Sequence, residues 1–160
     1  SQLDEGKFFC EKEDVDLYEA AREILKRLEE RAAEKNIHLY LYGSHVKVNT
    51  VKVILEEVLY NLCDNGLKYN KQSGSLTVNI SEVEGNAQIV VEDTGIGISE
   101  EDKMRIFERF YRVDKSHSKA IGGTGLGLSI VKHGSMFLGA DVKVESTLGE
   151  GSRFILTIPE

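Results

Sequence analysis

Apolar residues recur every three or four positions over residues 17–32 and 51–62, then at every second position from residue 76 onward. That change of period constrains the fold more than any other feature of the chain. A period near 3.6 buries one stripe of a helix, whereas a period of two buries one face of a sheet. In the first segment Leu17, Ala20, Ala21, Ile24, Leu28 and Ala32 share a stripe; Asp14 or Asp16 caps the helix, which ends near Asn36. Ile37–Leu41 and Val46–Val48 are short strand candidates around Gly43. Asn49 or Thr50 opens a second long helix, with Val51, Ile54, Leu55, Val58, Leu59 and Leu62 facing inward. Leu76, Val78 and Ile80 then alternate with polar residues, and Glu84-Gly85-Asn86 turns the chain back into Gln88–Glu92, a hairpin. Ser99 and Asp102 make a capping box for a short helix reaching about Phe107. Thr124–Leu138 reads as a third helix. Val142/Val144 and Phe154/Leu156/Ile158 form a closing hairpin through Leu148-Gly149-Glu150-Gly151. The first 13 residues are polar around Phe8-Phe9-Cys10, an edge-strand candidate, and 113–122 reads as a mobile loop. Hairpins rather than alternating β-α-β units predict an α+β fold, a two-layer sandwich of three helices on one mixed sheet.

With 160 residues, no repeat and no linker, residues 1–160 form a single domain. No apolar run approaches the roughly 18–20 residues that span a bilayer, and no signal peptide opens the chain. A net charge of −7 argues against nucleic acid or an anionic membrane as the main partner. Cys10 and Cys63 have no companion at metal-ligand spacing, which fits a reduced, cytosolic setting.

Three motifs carry chemistry. Asn61, Asn65 and Lys68 fall on one stripe of the second helix, extended by Glu57. A solvated helix face is the plainer explanation, yet Asn competes with helical hydrogen bonding and suits such a face badly. An Asn carbonyl is a good neutral ligand for Mg²⁺, an ion that takes few protein oxygens and completes its shell with water and phosphates. Asp93-Thr94-Gly95-Ile96-Gly97 follows a strand. It reads either as a tight turn or as a carboxylate that accepts from an exocyclic amine, with glycines letting backbone lie flat against a ring. Gly122-Gly123-Thr124-Gly125-Leu126-Gly127-Leu128 opens the third helix. Glycine at every second position begins a helix poorly unless something approaches the backbone, and free N–H groups at a helix start suit phosphate; a flexible hinge is the alternative. Neither glycine cluster has the spacing of a dinucleotide-binding or P-loop motif.

In this order, the motifs resemble those of the catalytic ATP-binding domain of bacterial sensor histidine kinases, part of the ATPase group that also holds gyrase, MutL and the heat-shock chaperone ATPases. Asn61–Tyr69 resembles the family's N box, Asp93–Gly97 its G1 box, Phe107–Asp114 its F box and Gly123–Leu128 its G2 box. The F box is similar to that of phosphate-regulon or cell-wall-sensing kinases. The resemblance implies the Bergerat-type ATP-binding fold. It implies ATP and Mg²⁺ as cofactors, and an ATP lid over about 98–122 anchored by Phe107 and Phe110. It implies that Asp93 accepts from the adenine amine, with Gly95, Gly97 and Ile98 beside the ring. Asn65 holds the Mg²⁺ with Asn61 nearby, Lys68 and Arg112 neutralise the transferring phosphoryl group, and Tyr69 lines the phosphate side. Gly123, Thr124, Gly125, Leu126 and Gly127 present backbone to the phosphates.

In the water-splitting members of that group a Glu stands four residues before the metal-binding Asn. Here Asn61 holds that place and cannot act as a base, which implies phosphotransfer rather than hydrolysis. Asn70 stands where Ser or Thr is usual. Gly134 and Leu138 replace an aliphatic and a His, and an interior Gly costs about 1 kcal/mol, enough to weaken or bend that helix. None of His38, His45, His117 and His133 has the acidic neighbour and following proline of a phosphoacceptor. The implied partner is therefore the acceptor-histidine dimerisation domain of the same kinase, with a response regulator receiver domain further on. The fragment is expected to be monomeric, the whole kinase a homodimer, and this domain to lie on the cytoplasmic side of a membrane sensor. The alternatives are a stand-alone serine kinase of the anti-sigma type and a non-catalytic docking module.

Overall fold

The structure, a computed structural model, describes residues 11–108, 111 and 127–159. Strand β1 (Glu13–Asp16) leads into α1 (Leu17–Arg27) and α2 (Glu29–Glu34), followed by β2 (His38–Gly43) and β3 (Lys47–Thr50). The long helix α3 (Lys52–Lys68) precedes a hairpin of β4 (Ser75–Val83) and β5 (Asn86–Asp93). One turn of helix, α4 (Glu100–Lys103), then α5 (Gly127–Phe137), β6 (Asp141–Thr147) and β7 (Gly151–Pro159) complete the described chain.

Five strands form one sheet in the order β2-β4-β5-β7-β6, parallel between β2 and β4 and antiparallel elsewhere. The period-two residues define its faces. Leu76, Val78, Ile80, Ile89, Phe154, Leu156 and Ile158 are buried on one side together with Leu17, Ile24, Leu28, Leu55, Leu59 and Leu62 from the helices, in one core. This is the expected α+β two-layer sandwich with a mixed sheet. The opposite face carries polar pairs such as Arg153 with Glu145 at 3.2 Å.

Local chemistry accounts for most boundaries. Asp16 caps α1, its carboxylate accepting from the Glu19 N–H at 3.1 Å. Asn36 ends α2 at φ 55°, with the Asn36 and Ile37 N–H groups bonded back to Ala33 and Ala32 in a Schellman motif, and Ile37 is buried beneath it. Glu84 and Gly85 both take positive φ, the two-residue turn whose twist matches a hairpin. Ser99 accepts from the Asp102 N–H at 3.2 Å, but the helix it caps stops at Lys103 rather than near Phe107. Phe107 instead packs edge-on against Phe154, centroids 6.3 Å apart.

Tertiary contacts override the sequence pattern in three other places. The first helix breaks at Leu28, where neither Gly nor Pro signals an interruption. Thr50 and Asn49 do not cap α3. They belong to β3, which pairs with β1 as a separate two-stranded sheet in which Asn49 donates to Asp14, and Val51 occupies the cap without a side-chain bond. Gly134 does not interrupt its helix: α5 runs from Gly127 to Phe137. A Cβ at Gly134 would lie 2.5 Å from a Val58 methyl and 3.5 Å from Ile54, so the missing side chain lets α5 lie against α3. The Phe8–Cys10 strand candidate and residues 124–126 of the third helix fall outside the described residues.

Gly134→Ala is thus a contest between helix propensity, about 1 kcal/mol in favour of Ala, and overpacking of a β-branched neighbour, typically 1–3 kcal/mol. The stiff Val58 rotamer gives the contest to overpacking. Urea unfolding should show Gly134→Ala less stable than the parent by about 1 kcal/mol, and the double variant Gly134→Ala, Val58→Ala should recover part of the loss.

Candidate functional site

The last turns of α3 lie over the C-terminal end of β5, and this crossing gathers the first two motifs. Gly66 makes the approach possible: a Cβ there would meet Leu76 at 2.5 Å and come within 3.7 Å of an Asp93 oxygen. Asp93 is the last residue of β5 and only 8% exposed. Its Oδ1 accepts from the Gly95 N–H at 2.8 Å and the Ser152 N–H at 3.3 Å. Burial raises its carboxyl to about 6, against the two N–H donors that favour the charged form. Among the described residues Oδ2 has no hydrogen-bond partner, and no buried side-chain polar atom is left unsatisfied. Among the described residues Oδ2 is thus one lone acceptor at the floor of the site.

The glycines around it also meet a packing demand inside the protein. A Cβ at Gly95 would strike the Tyr69 carbonyl, and one at Gly97, where φ is 73°, would strike the Thr147 carbonyl. Their freedom lets the loop pass between the end of α3 and the β6–β7 turn, so close backbone packing within the protein accounts for them without any ring. The Ile96 N–H donates to the Tyr69 carbonyl at 3.0 Å, the Gly149 N–H to the Ile96 carbonyl at 2.7 Å, and the Ile98 N–H to Ser146 Oγ at 2.7 Å.

Several side-chain bonds that support the site were not legible in the sequence. Asn70 is buried; it donates to the Ser75 carbonyl and accepts from the Lys71 N–H and Thr94 Oγ1, latching the end of α3 to the loop after β5. Ser152 stands opposite Asp93 in the β5–β7 register. Ser146 bonds Ser152 and the Gly151 carbonyl. Only the strand register, joining positions 59 apart, exposes these partners.

On α3, Asn61 donates to the Glu57 carbonyl at 2.8 Å and turns Oδ1 toward Gly127, where a Cβ would lie 3.4 Å away. The first and third motifs therefore meet at the start of α5. Asn65 is half-buried, and its side chain makes no hydrogen bond among the described residues. Lys68 pairs with Asp64 at 3.2 Å. Tyr69 is half-buried beside Gly95. Asn61, Asn65, Lys68, Tyr69, Asp93, Gly95, Gly97, Ile98 and Gly127 are thus gathered at one end of the sandwich. Arg112, Gly123, Thr124, Gly125, Leu126, Phe110, His117 and the loop 113–122 lie outside the described residues. His38, His45 and His133 are exposed and apart from this cluster; His45 pairs with Asp16 at 2.9 Å. Cys63 is buried, its thiol pushed up to about 12 by desolvation, and is inert. Among the described residues no three His, Cys, Asp or Glu side chains form a metal cluster, and no helix is long and apolar enough to cross a membrane.

The family profile described as "Histidine kinase-, DNA gyrase B-, and HSP90-like ATPase" matches residues 50–160. The sensor-like histidine kinase SenX3 of Mycolicibacterium smegmatis is 43% identical over 107 residues, 67% of this chain and 28% of that protein. The chain therefore spans under a third of that relative. Among solved structures, the nucleotide-free catalytic domain of histidine kinase ThkA superposes with a TM-score of 0.81 at 26% identity, covering 93% of this chain and 95% of that one. Full-length ShkA, solved in complex with AMPPNP, matches at a TM-score of 0.79 and 28% identity over 92% of this chain and 31% of that one.

A carboxyl raised to about 6 favours folding below its unfolded value of 3.8, and that contribution is lost as pH rises through 6. At neutral pH the burial of charged Asp93 therefore opposes folding, by up to about 3 kcal/mol at 1.36 kcal/mol per unit. Asp93→Asn keeps an acceptor for Gly95 and Ser152 without the charge. Chemical denaturation should find it about 1–3 kcal/mol more stable than the parent at pH 7.5, with the gap closing by pH 4.

Proposed function

The chain belongs to the histidine kinase-, DNA gyrase B- and HSP90-like ATPase family, and from that membership we propose that it is the ATP-binding catalytic domain of a longer sensor kinase, donating the γ-phosphoryl group of ATP to a histidine on a separate dimerisation domain. The observation that carries this reading is the Asp93 oxygen that has no partner among the described residues, at one end of the site, with Asn65 and the Asp64-paired Lys68 along α3. A lone carboxylate oxygen accepts from the 6-amino group of adenine and repels the carbonyl that guanine presents there. AMPPNP bound to ShkA supports an adenine nucleotide in this place.

Asn65 suits Mg²⁺, because its uncommitted side-chain carbonyl supplies one oxygen to an ion that phosphates and water otherwise surround. When bound, Mg²⁺ supplies charge neutralisation at the phosphates. Lys68, with Arg112, balances charge on the transferring group, and Gly123 to Gly127 offer backbone N–H groups. A lid over about 98–122, as the resemblance implies, would start from a base held by Ser146 on the Ile98 N–H and by Phe107 on Phe154.

Hydrolysis is disfavoured by the surroundings of Asn61. Its amide is spent on the Glu57 carbonyl, it cannot take a proton from water, and the Glu57 side chain is exposed a turn further back. None of the four histidines has the sequence neighbours of a phosphoacceptor, which supports a nucleophile from the separate domain. Transfer requires that nucleophile to be held in line. A response regulator receiver domain would take the phosphoryl group next.

Radiolabelled ATP should leave this chain unlabelled, and label should appear on the acceptor domain only when the two are mixed; robust self-labelling or brisk phosphate release would refute the assignment. Loss of the Asp93 hydrogen bond, worth roughly 1.5–3 kcal/mol for a charged acceptor, should weaken ATP binding about 10–100-fold in Asp93→Ala and abolish the preference over GTP. Asn65→Ala should weaken ATP in Mg²⁺ far more than ATP in chelator, as read by calorimetry.

A further inference from the structure

Asp64 is the one carboxylate buried along α3, and two cations share it. Lys68, one turn on, reaches Oδ2 at 3.2 Å, while Arg31 from α2 bonds Oδ1. The residue that caps this short helix reaches α3 as well: Lys35 Nζ donates to the carbonyls of Leu67 and Lys68, at 3.2 and 3.0 Å. The end of α3 is thus held by α2, through a residue that fixes the Lys68 backbone and another that shares the anion to which the Lys68 ammonium is tied.

We propose that Arg31, acting through Asp64, is a positioning residue for Lys68: it shares the Asp64 carboxylate so that the lysine is held ready and yet released when phosphate arrives. The proposal rests on Lys68 facing the nucleotide phosphates. An ammonium on a four-carbon stem samples many rotamers, and a carboxylate one turn away restricts them. A carboxylate with Lys68 as its sole partner would compete with the phosphates for it, because leaving a buried anion unpaired is costly. With Arg31 in place the trio carries a net positive charge, and Asp64 keeps a partner after Lys68 swings away. Among the described residues the Arg31 guanidinium bonds only Asp64, on the oxygen that Lys68 does not use.

The test is a double-mutant cycle on the whole chain, with Mg²⁺-ATP followed by calorimetry and adenosine, which lacks phosphates, by saturation-transfer NMR. The Arg31 side chain is 40% exposed, so Arg31→Gln leaves the core intact, and Arg31→Met serves as a second variant of similar length. Arg31→Gln should weaken Mg²⁺-ATP about three- to tenfold and leave adenosine unchanged, and Arg31→Lys should restore part of the loss. In a Lys68→Ala background Arg31→Gln should have no further effect. An equal loss for adenosine, an equal loss in both backgrounds, or no loss at all would overturn the proposal. The unmutated chain is read first. If it fails to bind ATP, the nucleotide-site assignment falls and this proposal with it; if it binds and the cycle shows no coupling, this proposal alone falls.

Discussion

A charged carboxylate at the end of a buried strand is an expensive thing to maintain, and the geometry of this site follows from maintaining it. Asp93 Oδ1 is anchored by N–H groups from the loop that follows β5 and from β7, so one oxygen fixes three segments relative to one another. The remaining oxygen has no partner among the described residues. Burial still wins over the two donors, as the raised carboxyl shows. Such a residue weakens the fold at neutral pH and finds its use in the ligand that completes its shell, the usual trade between stability and activity.

Helix α3 is the other determinant, because it serves the core and the site at once. Leu55, Leu59 and Leu62 are buried in the core and Val58 lies against α5, while Asn61, Asn65 and Lys68 run along the neighbouring stripe. Two glycines set how closely it is approached. Gly66 admits β4 and Asp93 beneath it, and Gly134 admits α5 beside it. Close packing of this kind transmits small displacements, so residues that look structural, Asn70 and Asp64 among them, belong to the support of the site.

The helix pair before β2 acquires a role that its amphipathic stripe does not announce. Beyond covering the sheet, α2 grips the C-terminal end of α3 through Lys35 on its terminal carbonyls and Arg31 on Asp64. Lysine at a helix C-terminus satisfies orphan carbonyls and complements the dipole.

The sequence by itself determined the layer architecture, most element boundaries and the order of the motifs. Hydrophobic period, capping residues and turn glycines are local signals, legible within a few positions: Asp16, Asn36, Ser99 and the Glu84-Gly85 turn all act where the chain places them. Resemblance of the boxes led to the family, and the gathering of Asn61, Asn65, Lys68 and Asp93 at one end of the sandwich agrees with it. Tertiary structure alone decided which side chains hold those residues in place. The break at Leu28, the use of Thr50 in a second sheet, the fit of Gly134 against Val58, and the bonds of Ser152 to Asp93 and of Arg31 to Asp64 all join positions distant in the chain. Their partners depend on strand register and helix approach, which the packing of the whole core sets and no local pattern encodes.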